Sequence, residues 1–185
     1  MDDLYIKKVL KGDTEAFRYF VGQYKNMAFT ISMSVVKDEF LATEVVQESF
    51  MKAFQNLKNF KGKSKFSTWF YRIVIHESLK NVRKKGEKYL DMETHFPNYP
   101  ENEPSALALI KEDERRFYIN ETLNRLPASE SLVLRLFYLN ENSIAEICEM
   151  TGWTESKVKV TLHRARKNME RHLLKRLKSE AKTLI

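Results

Sequence analysis

Apolar residues recur along most of this chain at spacings of three and four, a pattern that predicts one helix after another and no strand. Asp13 fits an N-cap, and the stripe Phe17, Phe20, Val21, Tyr24, Ala28, Ile31 and Val35 behind it marks a first long helix. Asp38 fits a second cap. The helix after it has a core face of Val46, Phe50, Ala53 and Leu57, while Glu44, Glu48, Met51 and Gln55 fall on the opposite side at about 100° per residue. A third helix runs from about Ser67 into the basic run Arg83-Lys84-Lys85, with Trp69, Ile73 and Val74 facing inward.

The periodicity then breaks. Between Gly86 and Ser105 stand Pro97, Pro100, Pro104 and five acids without an apolar stripe, the composition of a linker. Helix resumes from about Ser105 to Leu126, stops at Pro127 and restarts over Ala128–Leu139. The expected fold class is therefore all-α. Two small helical domains, residues 1–86 and 106–185, are joined by an acidic tether over residues 87–105.

The last part of the chain has the pattern of a helix-turn-helix. Ser143 fits the cap of a short helix, Ile144–Met150, with Ile144, Ile147 and Cys148 inward. Thr151-Gly152-Trp153 makes a tight turn in which Gly152 tolerates a positive φ, and Thr154 fits the cap of the next helix. Val158, Leu162, Ala165 and Met169 share one narrow stripe of that helix. The other side presents Ser156, Val160, His163, Arg164 and Lys167, flanked by Lys157, Lys159 and Arg166, as a recognition helix in the major groove would. An apolar Val160 among bases suits a thymine methyl; Lys159 or Arg164 can donate to guanine edges, and Lys167 and Arg171 to phosphates.

Charge sharpens this reading. The net charge of +7 is concentrated: residues 156–178 hold nine Lys or Arg against one acid, and residues 61–88 hold nine against two. Residues 1–60 are balanced at eight each. Two separated basic zones are what a chain needs to grip a polyanion at two places. In the first zone Phe60, Phe66, Trp69, Phe70 and Tyr71 interleave with Lys61, Lys63, Ser64 and Lys65. Aromatic faces beside lysines suit unpaired bases and their phosphates, although Trp69 and Phe70 read better as core.

Several chemistries are excluded or left without support. One cysteine, Cys148, allows no internal disulfide and no multi-cysteine metal site, and it reads as a small buried hydrophobe. Gly62-Lys63-Ser64 resembles the end of a phosphate-binding loop, but position 57 is Leu where that loop needs glycine. No catalytic set, metal-ligand spacing or cofactor loop is present, so no enzyme activity, metal or cofactor is expected. Dispersed carboxylates argue against a metal-dependent nuclease. The N-terminus carries no signal-peptide pattern and no stretch is long enough to span a bilayer, so the expected location is cytoplasmic, at the nucleoid, without membrane insertion.

Three stretches together resemble the extracytoplasmic-function (ECF) sigma factors of the sigma-70 family. They are Ala42-Thr-Glu-Val-Val-Gln-Glu-Ser-Phe-Met-Lys-Ala-Phe54, then Phe66-Ser-Thr-Trp-Phe-Tyr-Arg-Ile73, and Leu126-Pro127 through Val158-Lys-Val-Thr-Leu-His-Arg-Ala-Arg166. The resemblance implies a subunit that binds core RNA polymerase and directs initiation at promoters. It implies that Leu41, Glu44, Gln47, Glu48, Met51 and Gln55 meet the β′ clamp helices, and that the second domain meets the β flap. It assigns recognition and melting of the −10 element to Phe60, Lys61, Lys63, Ser64, Lys65, Phe66, His76, Lys80 and Arg83. Double-stranded −35 DNA falls to Ser156, Lys157, Lys159, Val160, His163, Arg164, Arg166 and Lys167. Many relatives carry Asn where this chain has His76, so the resemblance does not carry a −10 base preference over to it. An anti-sigma factor is a further implied partner. The alternative is a helix-turn-helix regulator that binds operators without joining polymerase, but residues 1–85 resemble neither a dimerisation nor an effector domain.

Overall fold

A computed structural model describes the backbone of residues 1–84 and 112–183, and the side chains of residues 1–83 and 116–176. The linker expected over residues 87–105 lies outside the described residues. Among the described residues all regular structure is helical: α1 Asp2–Leu10, α2 Arg18–Val36, α3 Glu39–Asn56, α4 Phe66–Lys84, α5 Glu112–Arg125, α6 Ala128–Leu134, α7 Ile144–Thr151 and α8 Glu155–Thr183.

The first domain packs α2, α3 and α4 against one another. Asp13 caps a 3-10 turn over Thr14–Phe17, accepting from the Ala16 amide at 3.2 Å, and α2 starts one turn later than the periodicity implies. Asp38 caps α3 through the Leu41 amide at 2.8 Å. Aromatic rings fill the centre: Phe20 lies 4.3 Å from Phe66 between centroids, and Phe50 lies 4.5 Å from Phe70. Full burial of a side chain of this size stabilises by roughly 1.5–3 kcal/mol. Val21, expected on this core stripe, is instead 37 % exposed, because at about 100° per residue the wide stripe leaves it on the rim beside Phe20.

Helix α1 was not foreshadowed by the periodicity. Its Asp2 carboxylate accepts from the Tyr19 hydroxyl at 2.9 Å and the Tyr24 hydroxyl at 2.6 Å, and Tyr5 stacks on Tyr19 at 4.0 Å. Burial and the adjacent Asp2 charge push the Tyr24 hydroxyl well above its ordinary pKa.

In the second domain α6 packs on α8, and a π-helical turn, Arg135–Leu139, carries α6 toward the helix-turn-helix. Its core includes Leu126, Leu132, Leu136, Ile147, Met150, Val158, Leu162 and Ala165. Arg135 is buried here, donating to Asn124 Oδ1 at 2.9 Å; desolvation lowers its guanidinium to a pKa of about 10. The two domains also touch: α6 lies on α2, and α7 lies on α4. No described helix is long and apolar enough to cross a membrane.

Candidate nucleic-acid interface

The helix-turn-helix is built by local chemistry that the chain states openly. Ser143 and Glu146 form a reciprocal capping box, with the Glu146 amide donating to Ser143 Oγ at 3.2 Å and the Ser143 amide donating to Glu146 Oε2 at 2.9 Å. Gly152 ends α7 at φ +73°, where a side chain would be strained. Thr154 then accepts from the Lys157 amide at 3.3 Å and opens α8. Val158, Leu162 and Ala165 are buried, as the stripe requires, and Met169 is half-buried against them.

The opposite face of α8 is open. Ser156, Lys157, Lys159, Val160 and His163 are exposed, and Val160 is 61 % exposed although apolar. Lys157 lies over the Trp153 ring at 5.1 Å, which tilts its ammonium toward the turn. Lys159 pairs with Glu155 at 2.6 Å; the hydrogen bond and charge of Glu155 raise its pKa. An exposed pair of this kind is readily exchanged for a phosphate.

Two cations expected on this face are held elsewhere. Arg164 turns back into the domain, where its Nε lies 2.9 Å from Glu130 Oε1; Glu130 is only 1 % exposed and its other oxygen accepts from Asn168 Nδ2 at 2.8 Å. A buried carboxylate demands a cation, and in this structure Arg164 supplies it. Arg166 donates from Nε to the Tyr138 hydroxyl at 2.7 Å and lies over the Phe137 and Tyr138 rings. Lys167 is half-buried on the flank.

In the first domain the loop before α4 carries Lys61, Lys63 and Lys65 on its exposed side, with Gly62 at φ +66° making the bend. Ser64 is half-buried. Phe66, expected to stack on bases, is 2 % exposed and sits among Phe20, Tyr24 and Phe70. That expectation is corrected: the ring anchors the start of α4 in the core. Phe60 is half-buried, edge-on to Phe66 and 5.3 Å from Trp69, and keeps one flank at the surface.

His76, Lys80 and Arg83 all stand exposed along α4. Two of them flank a buried acid: Glu77 meets Lys52 of α3, with His76 at 3.6 Å and Lys80 at 3.7 Å. Burial alone would raise the Glu77 carboxyl, but Lys52 and then Lys80 and His76 hold it below the usual carboxylate range. Arg72, one turn before His76, extends the same exposed basic row and was not singled out from the sequence. Its i, i+4, i+8 spacing with His76 and Lys80 was the available signal.

The outer face of α3 presents Glu44, Gln47, Met51 and Gln55 exposed, with Leu41 and Glu48 half-buried. Glu48 is tied to Lys52 at 3.0 Å. Phe40 at 75 % and Phe54 at 40 % exposure join this surface, and neither was expected there. Isolated exposed apolar residues are ordinary; Phe40, Met51 and Phe54 are gathered on this one helix. Among the described residues no group of three His, Cys, Asp or Glu is gathered to hold a metal ion.

Residues 20–88 match sigma-70 region 2 and residues 116–169 match sigma-70 region 4. A probable RNA polymerase sigma factor of Haemophilus influenzae is 32 % identical over 84 % of this chain and 88 % of its own length. The ECF RNA polymerase sigma factor SigW of Bacillus subtilis is 31 % identical over 91 % of this chain and 94 % of its own. The chain belongs to the ECF sigma factors of the sigma-70 family. Region 2 of this sigma factor thus comprises the α2–α4 bundle, and region 4 comprises α5–α8 through Met169. The sigma factor RpoE of Bartonella quintana, solved with the anti-sigma factor NepR, shares its fold at a TM-score of 0.64, with 21 % identity over 86 % of this chain and 96 % of that one. The operator-binding regulator is not favoured, since both matched regions belong to one polymerase subunit family.

Proposed function

We propose that this sigma factor reads its promoters with two exposed basic surfaces while α3 holds it to core RNA polymerase. The −35 element meets Ser156, Lys157, Lys159, Val160 and His163, with Arg166 and Lys167 at the flank. The −10 element meets the Lys61–Lys65 loop, Phe60 and the α4 row Arg72, His76, Lys80 and Arg83. The α3 face from Phe40 to Gln55, including Leu41, Glu44, Gln47, Glu48 and Met51, docks on the β′ clamp helices, and region 4 on the β flap. The observation that carries this reading is the open α8 face, where Val160 is 61 % exposed among bases directly after the Gly152 turn. An apolar side chain among cations on this open face suits a thymine methyl.

The binding physics is cooperative. Each DNA surface is small, but both are tethered to one polymerase, so each contact forms at an effective concentration that approaches ~mM. His76, exposed on α4, offers an imidazole donor to the −10 element. The protein does no chemistry itself and works in the cytoplasm, at the nucleoid. An anti-sigma factor is a third partner, as NepR is for the Bartonella protein. A footprint of reconstituted holoenzyme on a cognate promoter tests the assignment. Protection at both elements with permanganate-reactive thymines at −10 is expected; protection at one element alone, without melting, would refute it.

A further inference from the structure

The two promoter-reading regions touch each other through groups that DNA would claim. Lys65, at the end of the −10 loop, lies 2.7 Å from Glu146 Oε1 on the first helix of the helix-turn-helix. The other oxygen of that carboxylate accepts from the Ser143 amide and hydroxyl, each at 2.9 Å. Glu146 thus caps α7 with one oxygen and neutralises the −10 loop with the other. A cleft of about 540 Å³ separates the domains beside this pair. Lys52, Trp69, Arg72 and His76 line one wall, and Met150, Thr151 and Gly152 line the other. A second bond crosses between the domains, from Lys37 Nζ to the Leu123 carbonyl at 3.3 Å.

This arrangement cannot coexist with a bound promoter. Elements centred about 25 base pairs apart lie roughly 85 Å apart at about 3.4 Å per pair. The contact of α7 with α4 must break before both are read. We propose that Glu146 stands in for a promoter phosphate on Lys65, closing the free sigma factor on itself until polymerase or DNA opens it. The masking role rests on the DNA reading of Lys65 given above; the closure does not.

Physical reasons favour Glu146 for this task. Lys65 is largely exposed, and a lone surface pair is weak. Here, however, the carboxylate is already fixed by the capping box, so closure costs no ordering of the acid. The linker holds the partners near each other at ~mM effective concentration, so a contact of that strength suffices. A latch so balanced is closed in the free protein and yields to the far stronger competition of polymerase.

The test uses the full chain with spin labels at Lys58→Cys and Glu170→Cys in a Cys148→Ser background, read by double electron–electron resonance. The parent is expected to give one narrow, short distance. Glu146→Gln, which keeps an acceptor for Ser143, and Lys65→Glu, which leaves the cap untouched, should each shift several-fold more molecules to broad, longer distances. Lys65→Arg should retain the closed distance. Distances unchanged in both opened variants would overturn the closure, and Lys65→Glu alone decides if Glu146→Gln loses its fold by circular dichroism. A single-stranded −10 oligonucleotide should bind free Glu146→Gln several-fold more tightly than free parent. Unchanged affinity in a variant shown to be open would instead overturn the DNA reading of Lys65 and its masking.

Discussion

Arg164 sits on the recognition helix of the sigma factor, yet its guanidinium lies 2.9 Å from the buried carboxylate of Glu130, 34 positions earlier in the chain. Position on a helix face and direction of the side chain thus part company here. Replacing Arg164 by Ala would leave Glu130 buried without its cation. The expected result is a loss of about 2–4 kcal/mol of unfolding free energy by denaturant titration, with −35 base preference unchanged. A base-specific loss at full stability would return Arg164 to the DNA-reading set.

Val160 makes the opposite prediction. It is 61 % exposed, so Val160→Ala should leave stability within about 0.5 kcal/mol. Affinity for a −35 duplex should fall by roughly 1 kcal/mol. Exchanging the contacted thymine for uracil should cost the parent a similar amount and cost the Ala variant almost nothing. An uracil penalty equal in both proteins would contradict the methyl contact.

The acid limb of the stability curve should report Glu146. Its carboxyl is held down to a pKa of about 2, by the Lys65 hydrogen bond first and then by Ser143. Its stabilising contribution is therefore complete above the ordinary carboxylate pKa near 4.5 and is lost as pH falls toward about 2. Denaturation midpoints of the parent measured from pH 6 down to pH 2 should drop more steeply than those of Glu146→Gln. Parallel curves would show that the carboxylate is not held in this way.

Lys37 titrates in the other direction. Burial, reinforced by Arg135, lowers its ammonium to a pKa of about 8, at a contact that exists only when the domains meet. The closed form then binds fewer protons than the open one between about pH 8 and the ordinary lysine value near 10.5, so closure strengthens as pH rises through that window. The closed fraction seen by spin-label distances should grow from pH 7 to pH 10, and Lys37→Met should flatten that dependence.

The polymerase-docking surface proposed on α3 gives a binding prediction. Met51→Glu places a charge in the middle of an exposed apolar surface and should weaken affinity for core polymerase by at least about tenfold, with unchanged thermal unfolding. Met51 is 62 % exposed, so a folding defect is not expected. Unchanged core affinity would move the polymerase surface elsewhere.

What the sequence disclosed was what local chemistry decides. Asp38, Ser143 with Glu146, Gly152 and Thr154 each cap or terminate a helix through atoms within a few residues, and all four are seen doing so. The buried stripe Val158, Leu162 and Ala165 follows from helical period alone. Contacts between distant segments were not legible. Helix α1 depends on Asp2 meeting Tyr19 and Tyr24, and Phe66 is drawn from its lysine-rich surroundings into a core supplied by α2. Glu130 claims Arg164, and the second domain, which the sequence pattern joins to the first only by a tether, packs α7 onto α4. Of the candidate sites, exposure was largely legible, while the partner each cation already holds was not.

Run-off transcription with sigma-free core polymerase, on promoter fragments scrambled in turn at −35 and at −10, tests the central claim most directly. The account predicts a discrete transcript that requires both elements, with the −35 requirement altered by substitution of Val160 and His163 and the −10 requirement by substitution of His76. Soluble, folded protein that yields no promoter-specific transcript, or transcripts indifferent to both elements, would contradict it.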